Sequence, residues 1–177
     1  MIRYYHDGNF IGYSYFGSDG NAVSMTKLED ASGKFTAYFQ NGNKSMEGNY
    51  DNAKANGAFT EYYPDGKVAK EENYSYGDFE GVQKYYSHNG NIKKELTYYA
   101  GKLDGLQKYY DDNGKLEHTE NIVLGDAFGT WTWYNPDGTV KMTKVYYDDR
   151  ELSEKVSQTA PAPASDPKGK PKPAKTK

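Results

Sequence analysis

Residues 105–114 read GLQKYYDDNG, and residues 81–90 read GVQKYYSHNG, the same phrase 24 residues earlier. Aligned on the leading glycine, the phrase recurs at that interval from Gly33 through Gly57, Gly81, Gly105 and Gly129. A turn dipeptide keeps step as Asn41-Gly42, Asp65-Gly66, Asn89-Gly90, Asn113-Gly114 and Asp137-Gly138. Between glycine and turn a tyrosine holds one fixed place: Tyr38, Tyr62, Tyr86, Tyr110 and Tyr134. After the turn comes an aliphatic position, Val68, Ile92, Leu116 and Val140, with Lys44 in the first copy. Six residues further on stand Tyr50, Tyr74, Tyr98, Ile122 and Tyr146. Self-similarity at such a period marks an array in which each unit buries surface only against its neighbours.

Two aromatic-rich runs flank an Asn-Gly or Asp-Gly turn in every unit, a strong local signal for a β-hairpin. Pro64 and Pro136 occupy the first turn position, where proline's fixed φ suits a type I turn closed by a left-handed glycine. That three-residue loop predicts Tyr62, Val68 and Tyr74 on one face of the sheet. A second glycine series, Gly77, Gly101 and Gly125, marks the return bend to the next hairpin, and Gly8 belongs with it. The chain therefore begins inside the second strand of a unit, with Asp19-Gly20 as its first turn and a shortened bend at LEDASG. Two strands per unit at about 4.8 Å give a rise of ~10 Å per repeat and a sheet roughly 55–60 Å long. The expected fold is all-β: an elongated, single-layer antiparallel meander over residues 1–152.

Composition agrees. Nineteen tyrosines, seven phenylalanines and two tryptophans supply an apolar character that leucine and isoleucine do not, and the mean hydropathy is −1.02. Tyrosine buries a ring while its hydroxyl stays wet, which suits a thin sheet with both faces near solvent. From Ser153 the period stops, and residues 153–177 hold five of the seven prolines and no aromatic residue. Such a segment buries too little surface to fold, so a disordered Pro/Lys/Ala-rich tail is expected. Six lysines against Glu154 and Asp166 give it a charge of +4, and the chain's net −3 leaves −7 on the repeat body.

The unit G-x-x-x-x-Y-x-x-[ND]-G-x-[VIL]-x-x-x-x-x-Y-x-x-G resembles the variant MORN repeat, found in bacterial proteins labelled YwqK-family antitoxins. The resemblance covers residues 4–152, as about five full copies and partial ends. It implies a meander of antiparallel hairpins used for protein contacts or tethering, with no catalytic residues to transfer. In the last copy Asp149 stands where the bend glycine belongs and Ser153 where a new unit would start, so the array is expected to stop there.

Chemistry is sparse. Without cysteine there is no disulfide, thiolate nucleophile or cysteine-ligated zinc. His6, His88 and His118 fall in a bend, a turn and a strand, with no spacing that gathers them on a metal. Glu47, Glu71 and Glu95 form a ladder with rungs ~10 Å apart, wider than the roughly 5–9.5 Å of glycosidase carboxylate pairs. No cofactor and no enzyme activity are expected. The recurrent tyrosines Tyr38, Tyr62, Tyr86, Tyr110 and Tyr134, with Val68, Ile92, Leu116 and Val140, are assigned to a structural spine. Aromatics that vary between units, Phe35, Phe59, Tyr85, Tyr109, Trp131 and Trp133, are assigned to a binding surface on the opposite face, since Trp and Tyr are enriched at interfaces. The expected role is a protein-binding scaffold, with attachment to a glycan or an anionic membrane or polymer surface, or service as the targeting repeats of a larger protein, as the alternatives, and with copies pairing through the terminal sheet edges. The acidic body argues against nucleic acid, and the compartment is open between bacterial cytoplasm and envelope.

Overall fold

The computed structural model describes residues 2–17, 19–28 and 31–157. Among them every regular element is a strand. A small sheet comprises β1 (Ile2–His6), β2 (Asn9–Ser14) and β3 (Thr26–Lys27). Then come the repeating pairs β4 (Gly33–Tyr38) and β5 (Lys44–Asp51), β7 (Gly57–Tyr62) and β8 (Val68–Ser75), β10 (Gly81–Tyr86) and β11 (Ile92–Tyr99). They continue as β13 (Gly105–Tyr110) with β14 (Leu116–Val123), and β16 (Gly129–Tyr134) with β17 (Val140–Tyr147). Two-residue strands β6 (Lys54–Ala55), β9 (Asp78–Phe79), β12 (Lys102–Leu103) and β15 (Asp126–Ala127) follow the return bends, and β18 (Arg150–Val156) ends the sheet. The strands from β4 to β18 form one antiparallel sheet in chain order, so the expected meander is what the chain adopts.

Each hairpin turn follows from its sequence. Tyr63 N–H donates to Lys67 O at 2.7 Å and Gly66 N–H donates to Tyr63 O at 2.9 Å, closing a three-residue loop over Pro64, Asp65 and Gly66. Gly66 has φ of 87°, the left-handed value that disfavours a side chain. Tyr62 pairs with Val68, and the equivalent tyrosines pair with Lys44, Ile92, Leu116 and Val140.

The expectation that Tyr74 shares that face is overturned. The register slips by one residue between Glu61 and Tyr62, because Ala69 bulges out of β8. From Lys70 onward the alternation is inverted, so Tyr74 pairs with Gly57 and its ring packs on Phe59 at 4.9 Å. The same bulge recurs in every hairpin, and it divides the two aromatic series between faces. The core lies on the face of Phe59. Phe10, Tyr13, Leu28, Phe35, Tyr50 and Phe59 are its buried cluster, and Tyr74, Phe79 and Tyr98 extend it ring against ring.

Units are joined by a buried plug. After each return bend the strand is interrupted: Glu80 N–H donates to Asn73 O at 3.0 Å, and pairing with β8 resumes only at Lys84. Gln83, fully buried, fills the gap. Asn73 N–H donates to its Oε1 at 2.6 Å, and its Nε2 donates back to Asn73 O at 3.0 Å, so the side-chain amide stands in for missing ladder bonds. Gln107 does the same with Thr97. In the fifth unit the Trp131 indole N–H donates to Asn121 O at 3.0 Å. Phe35 and Phe59 hold the equivalent place in the first two units.

Two further expectations are corrected. Residues 2–27 do not continue the meander: β3 pairs with β2, and the small sheet packs on the first hairpin. Phe10 meets Tyr50 at 4.4 Å, Tyr13 meets Phe35 at 5.5 Å, and Thr36 N–H donates to the Tyr13 hydroxyl at 3.3 Å. The shortened bend sends Leu28 into the core, which leaves the β4 side of the sheet covered instead of extended. At the other end Ser153–Val156, assigned to the tail, form the second half of β18, because Asp148 and Asp149 take left-handed φ values of 51° and 60° without glycine. The rest of the tail, residues 158–177, lies outside the described residues.

Candidate binding surface

Cross-strand partners share a face, so the register defines a row running perpendicular to the strands. Glu61 pairs with Lys70, Lys70 with Tyr85, Tyr85 with Lys94 and Lys94 with Tyr109. Tyr109 then pairs with His118, His118 with Trp133 and Trp133 with Met142. From Lys70 onward cationic or imidazole groups alternate with rings. Lys94 Nζ sits 4.3 Å from the Tyr85 ring centre. Tyr109 and His118 stack at 4.3 Å and 8°, and His118 and Trp133 at 5.9 Å and 15°. All of these side chains are half-buried.

Of the residues assigned to a binding surface, only Tyr85, Tyr109 and Trp133 lie in this row. Phe35 and Phe59 are 2% and 6% exposed and belong to the core, which corrects their assignment. They are inter-unit plugs, and their ring contacts are with Tyr13, Tyr50, Tyr74 and each other. Trp131 is also a plug, half-buried, with its ring 4.5 Å from Tyr146 and 6.3 Å from Trp133. Lys70, Lys94 and His118 were missed. The signal for them was present, since each stands opposite a candidate ring once the bulge is placed in the register.

The row is tuned against ionisation. Burial, then the negative charge of Glu72, pushes the Tyr85 phenol up to about 12. Burial, then Glu120, does the same to Tyr109. Both stay neutral at physiological pH, as hydrogen-bonding rings and not as bases.

The opposite face carries the recurrent tyrosines. Tyr62, Tyr86, Tyr110 and Tyr134 are half-buried and Tyr38 is 36% exposed, so this row flanks the sheet and does not fill a core. Three of the five have a further role. The Tyr62 hydroxyl donates to Glu47, Tyr86 to Glu71 at 2.6 Å and Tyr110 to Glu95 at 3.1 Å, each tethering a unit to the one before. The Glu ladder is thereby a set of acceptors. Lys44, then Tyr62, lowers the Glu47 carboxyl; burial works to raise that of Glu95, but Lys108 and Tyr110 outweigh it.

His6 ends β1 beside Asp7, and His88 contacts Asp65 at 3.3 Å and the Tyr63 ring at 4.8 Å. Among the described residues no group of three or more His, Asp or Glu side chains is arranged to hold a metal. An open hollow of about 490 Å³ between the small sheet and the first hairpin is lined by Tyr15, Phe16, Tyr38, Phe39 and polar neighbours, with no carboxylate or imidazole.

Five antiparallel hairpins joined by buried plugs, with an alternating row of rings and cations on one face, define a β-hairpin repeat protein. The chain belongs to the MORN repeat variant family, which matches residues 31–52, 55–76, 79–98, 103–122 and 129–149. The partial unit expected before residue 31 is outside these matches, and it is where the fold leaves the meander. No curated protein matches the chain. MORN repeats are generally associated with binding or with membrane and protein targeting, and are generally non-catalytic.

Proposed function

We propose that this protein is a non-enzymatic binding module whose partner is another protein, docked on the row Tyr85, Lys94, Tyr109, His118 and Trp133. The observation that carries the reading is the unbroken cross-strand register of rings and cations, held half-exposed over five adjacent strands. Aromatic groups already fixed by neighbours lose little entropy on binding, which is why such groups dominate interfaces. A glycan ligand is disfavoured by the same geometry. Sugars lie on a free ring face, whereas Tyr109, His118 and Trp133 stand parallel and cover one another's faces. An antitoxin role is one form of this proposal, in which the partner is a toxin; it rests on the resemblance of the repeats.

The test is affinity capture from the producing organism with the wild type and with Tyr109→Ala/Trp133→Ala. Loss of a partner, with circular dichroism unchanged, supports the reading; a central aromatic pair is worth at least ~2 kcal/mol, or about 30-fold in Kd. A partner held equally by the double variant refutes it. Co-sedimentation with polysaccharide, lost in the double variant, would move the assignment to a glycan.

A further inference from the structure

One local rule of the array is broken in its last unit. In the first, third and fourth units the residue before the leading glycine caps the next return bend. Ser32 Oγ accepts from Asn52 N–H at 2.9 Å, Glu80 Oε2 from Ala100 N–H at 3.0 Å, and Asp104 Oδ1 from Leu124 N–H at 3.0 Å. At the equivalent place in the fifth unit stands Phe128, which caps nothing and packs its ring on Tyr147 at 5.1 Å. Both are left in solvent, at 41% and 60% exposure, and Val123 and Leu124 at the preceding return bend and Leu152 in β18 are exposed too, at 46%, 51% and 59%. A cap exchanged for an exposed apolar cluster weakens the fold locally, and such exchanges mark functional surface. The bends that carry the cluster form a rim of exposed carboxylates, Asp126, Asp148 and Asp149, against Lys102 and against Arg150, the cross-strand partner of Tyr147.

We propose that this patch is covered in cis by residues 158–177 of the same chain. That segment carries Lys168, Lys170, Lys172, Lys175 and Lys177 against the single acid Asp166, and Pro161, Pro163, Pro167, Pro171 and Pro173. Its charge is opposite to that of the rim. Proline-rich segments dock on exposed aromatic rings through a preformed extended helix, and Phe128 and Tyr147 offer such rings. The reach is adequate. The chain leaves β18 at Ser157, whose N–H still bonds Lys141 O, about 23 Å of strand from the bends at ~3.3 Å per residue. Eight residues at ~3.1 Å each span that distance, which brings Pro167 and the lysines that follow to the rim. A short tether holds the segment at millimolar effective concentration, enough to populate a weak contact. The proposal does not rest on the ring-and-cation row, so a negative result at Tyr109 and Trp133 leaves it standing.

The experiment uses the full chain labelled for amide NMR, as wild type and with all five tail lysines changed to serine. At low salt the amides of Val123, Leu124, Phe128 and Tyr147 differ in shift between the two proteins. At ~1 M salt, where screening acts within about 3 Å, they converge. A synthetic 158–177 peptide added to the serine variant moves the same amides toward their wild-type positions, and fails to do so when Phe128→Ser/Tyr147→Ser is also present. Superimposable low-salt spectra overturn the proposal. So does a peptide effect elsewhere on the body, or a wild-type signature that depends on protein concentration, which would place the tail on a second copy.

Discussion

Changing Gln107 to alanine should uncouple the two halves of the ribbon. The side chain is fully buried at the joint between the third and fourth units. Thr97 N–H donates to its Oε1 at 2.7 Å, and its Nε2 donates to Thr97 O at 3.2 Å and to Gly105 O at 3.1 Å. Truncation strands the Thr97 N–H, at about 1–3 kcal/mol when sealed from water, and takes one donor from Gly105 O, while Thr97 O keeps the Asp104 N–H at 2.9 Å. Thr97 is half-buried, so water recovers part of this, and the net loss is about 2–4 kcal/mol including the lost packing. In an array stabilised by nearest-neighbour contacts, such a loss falls on the coupling between units. Both tryptophans lie in residues 129–138, so indole fluorescence reports the fifth unit while far-ultraviolet circular dichroism reports the whole sheet.

In urea, with a slope of about 2 kcal/mol/M for a body of this size, the fluorescence midpoint of Gln107→Ala should fall by about 1–2 M. It should also separate from the dichroism midpoint, although the two coincide in the wild type. Gln107→Leu fills the space without the amide and should behave almost as badly. If both probes stay coincident and shift by less than ~0.3 M, the amide plug does not couple the units. If leucine alone restores the wild-type midpoint, shape and not hydrogen bonding makes the joint.

Gly48→Ala should lower the melting temperature, because a Cβ there would lie 2.6 Å from the Phe59 ring, and overpacking of this kind costs about 1–3 kcal/mol; an unchanged melting curve would show that the ring yields freely. Alkaline titration should destabilise the sheet. Tyr85, Tyr86 and Tyr109 are pushed up to about 12, first by burial and then by Glu72, Glu71 and Glu120 respectively. The native state thus holds these protons more tightly than the unfolded chain, whose phenols titrate at 10.0. The stabilisation is complete below pH 10 and is lost as the pH rises toward 12, which phenolate absorbance and circular dichroism followed together will show; free titration near 10 with the sheet intact would contradict it. Finally, Glu154→Val/Lys155→Thr should cause association measurable by light scattering. Antiparallel self-pairing of β18 sets Glu154 against Glu154 or Lys155 against Lys155, and like charges facing each other guard the open edge. A variant that stays monomeric would mean the edge is protected by something else.

The parts of this fold legible in the sequence are those that one residue type enforces in every unit. Turn geometry demanded Gly66 and its equivalents, and in the second, third and fourth units the recurrent tyrosine carries the hydroxyl that reaches Glu47, Glu71 or Glu95 one unit back. What could not be read were features with different chemical solutions in different units. The plug is Phe59, Gln83, Gln107 or Trp131, because an aromatic face, an amide or an indole N–H can each close the gap. No alignment of residue types reveals that these do one job. The bulge at Ala69 was equally silent, since it is a backbone event at a position filled by Ser45, Ala69, Lys93, Glu117 and Lys141. Missing it placed Tyr74 on the wrong face and left Lys94 and His118 unpaired with their rings. The binding-surface assignment consequently mixed plugs with row residues.

The plug and the row also differ in how they change along the ribbon, and the difference bears on function. At the row position before the recurrent tyrosine the residues run Ala37, Glu61, Tyr85, Tyr109 and Trp133. The backbone pairing around each is the same from unit to unit, so hairpin geometry does not ask for larger rings toward the C-terminal end. Under the proposed function, a partner contacting the row unevenly would. Single alanine substitutions should therefore weaken partner binding in the order Trp133, Tyr109, Tyr85, with Trp133→Ala costing at least ~2 kcal/mol and Glu61→Ala close to nothing, as read by calorimetric titration. Equal losses at all four positions would mean that the partner follows the repeat and not the gradient, and the row would then be a uniform track.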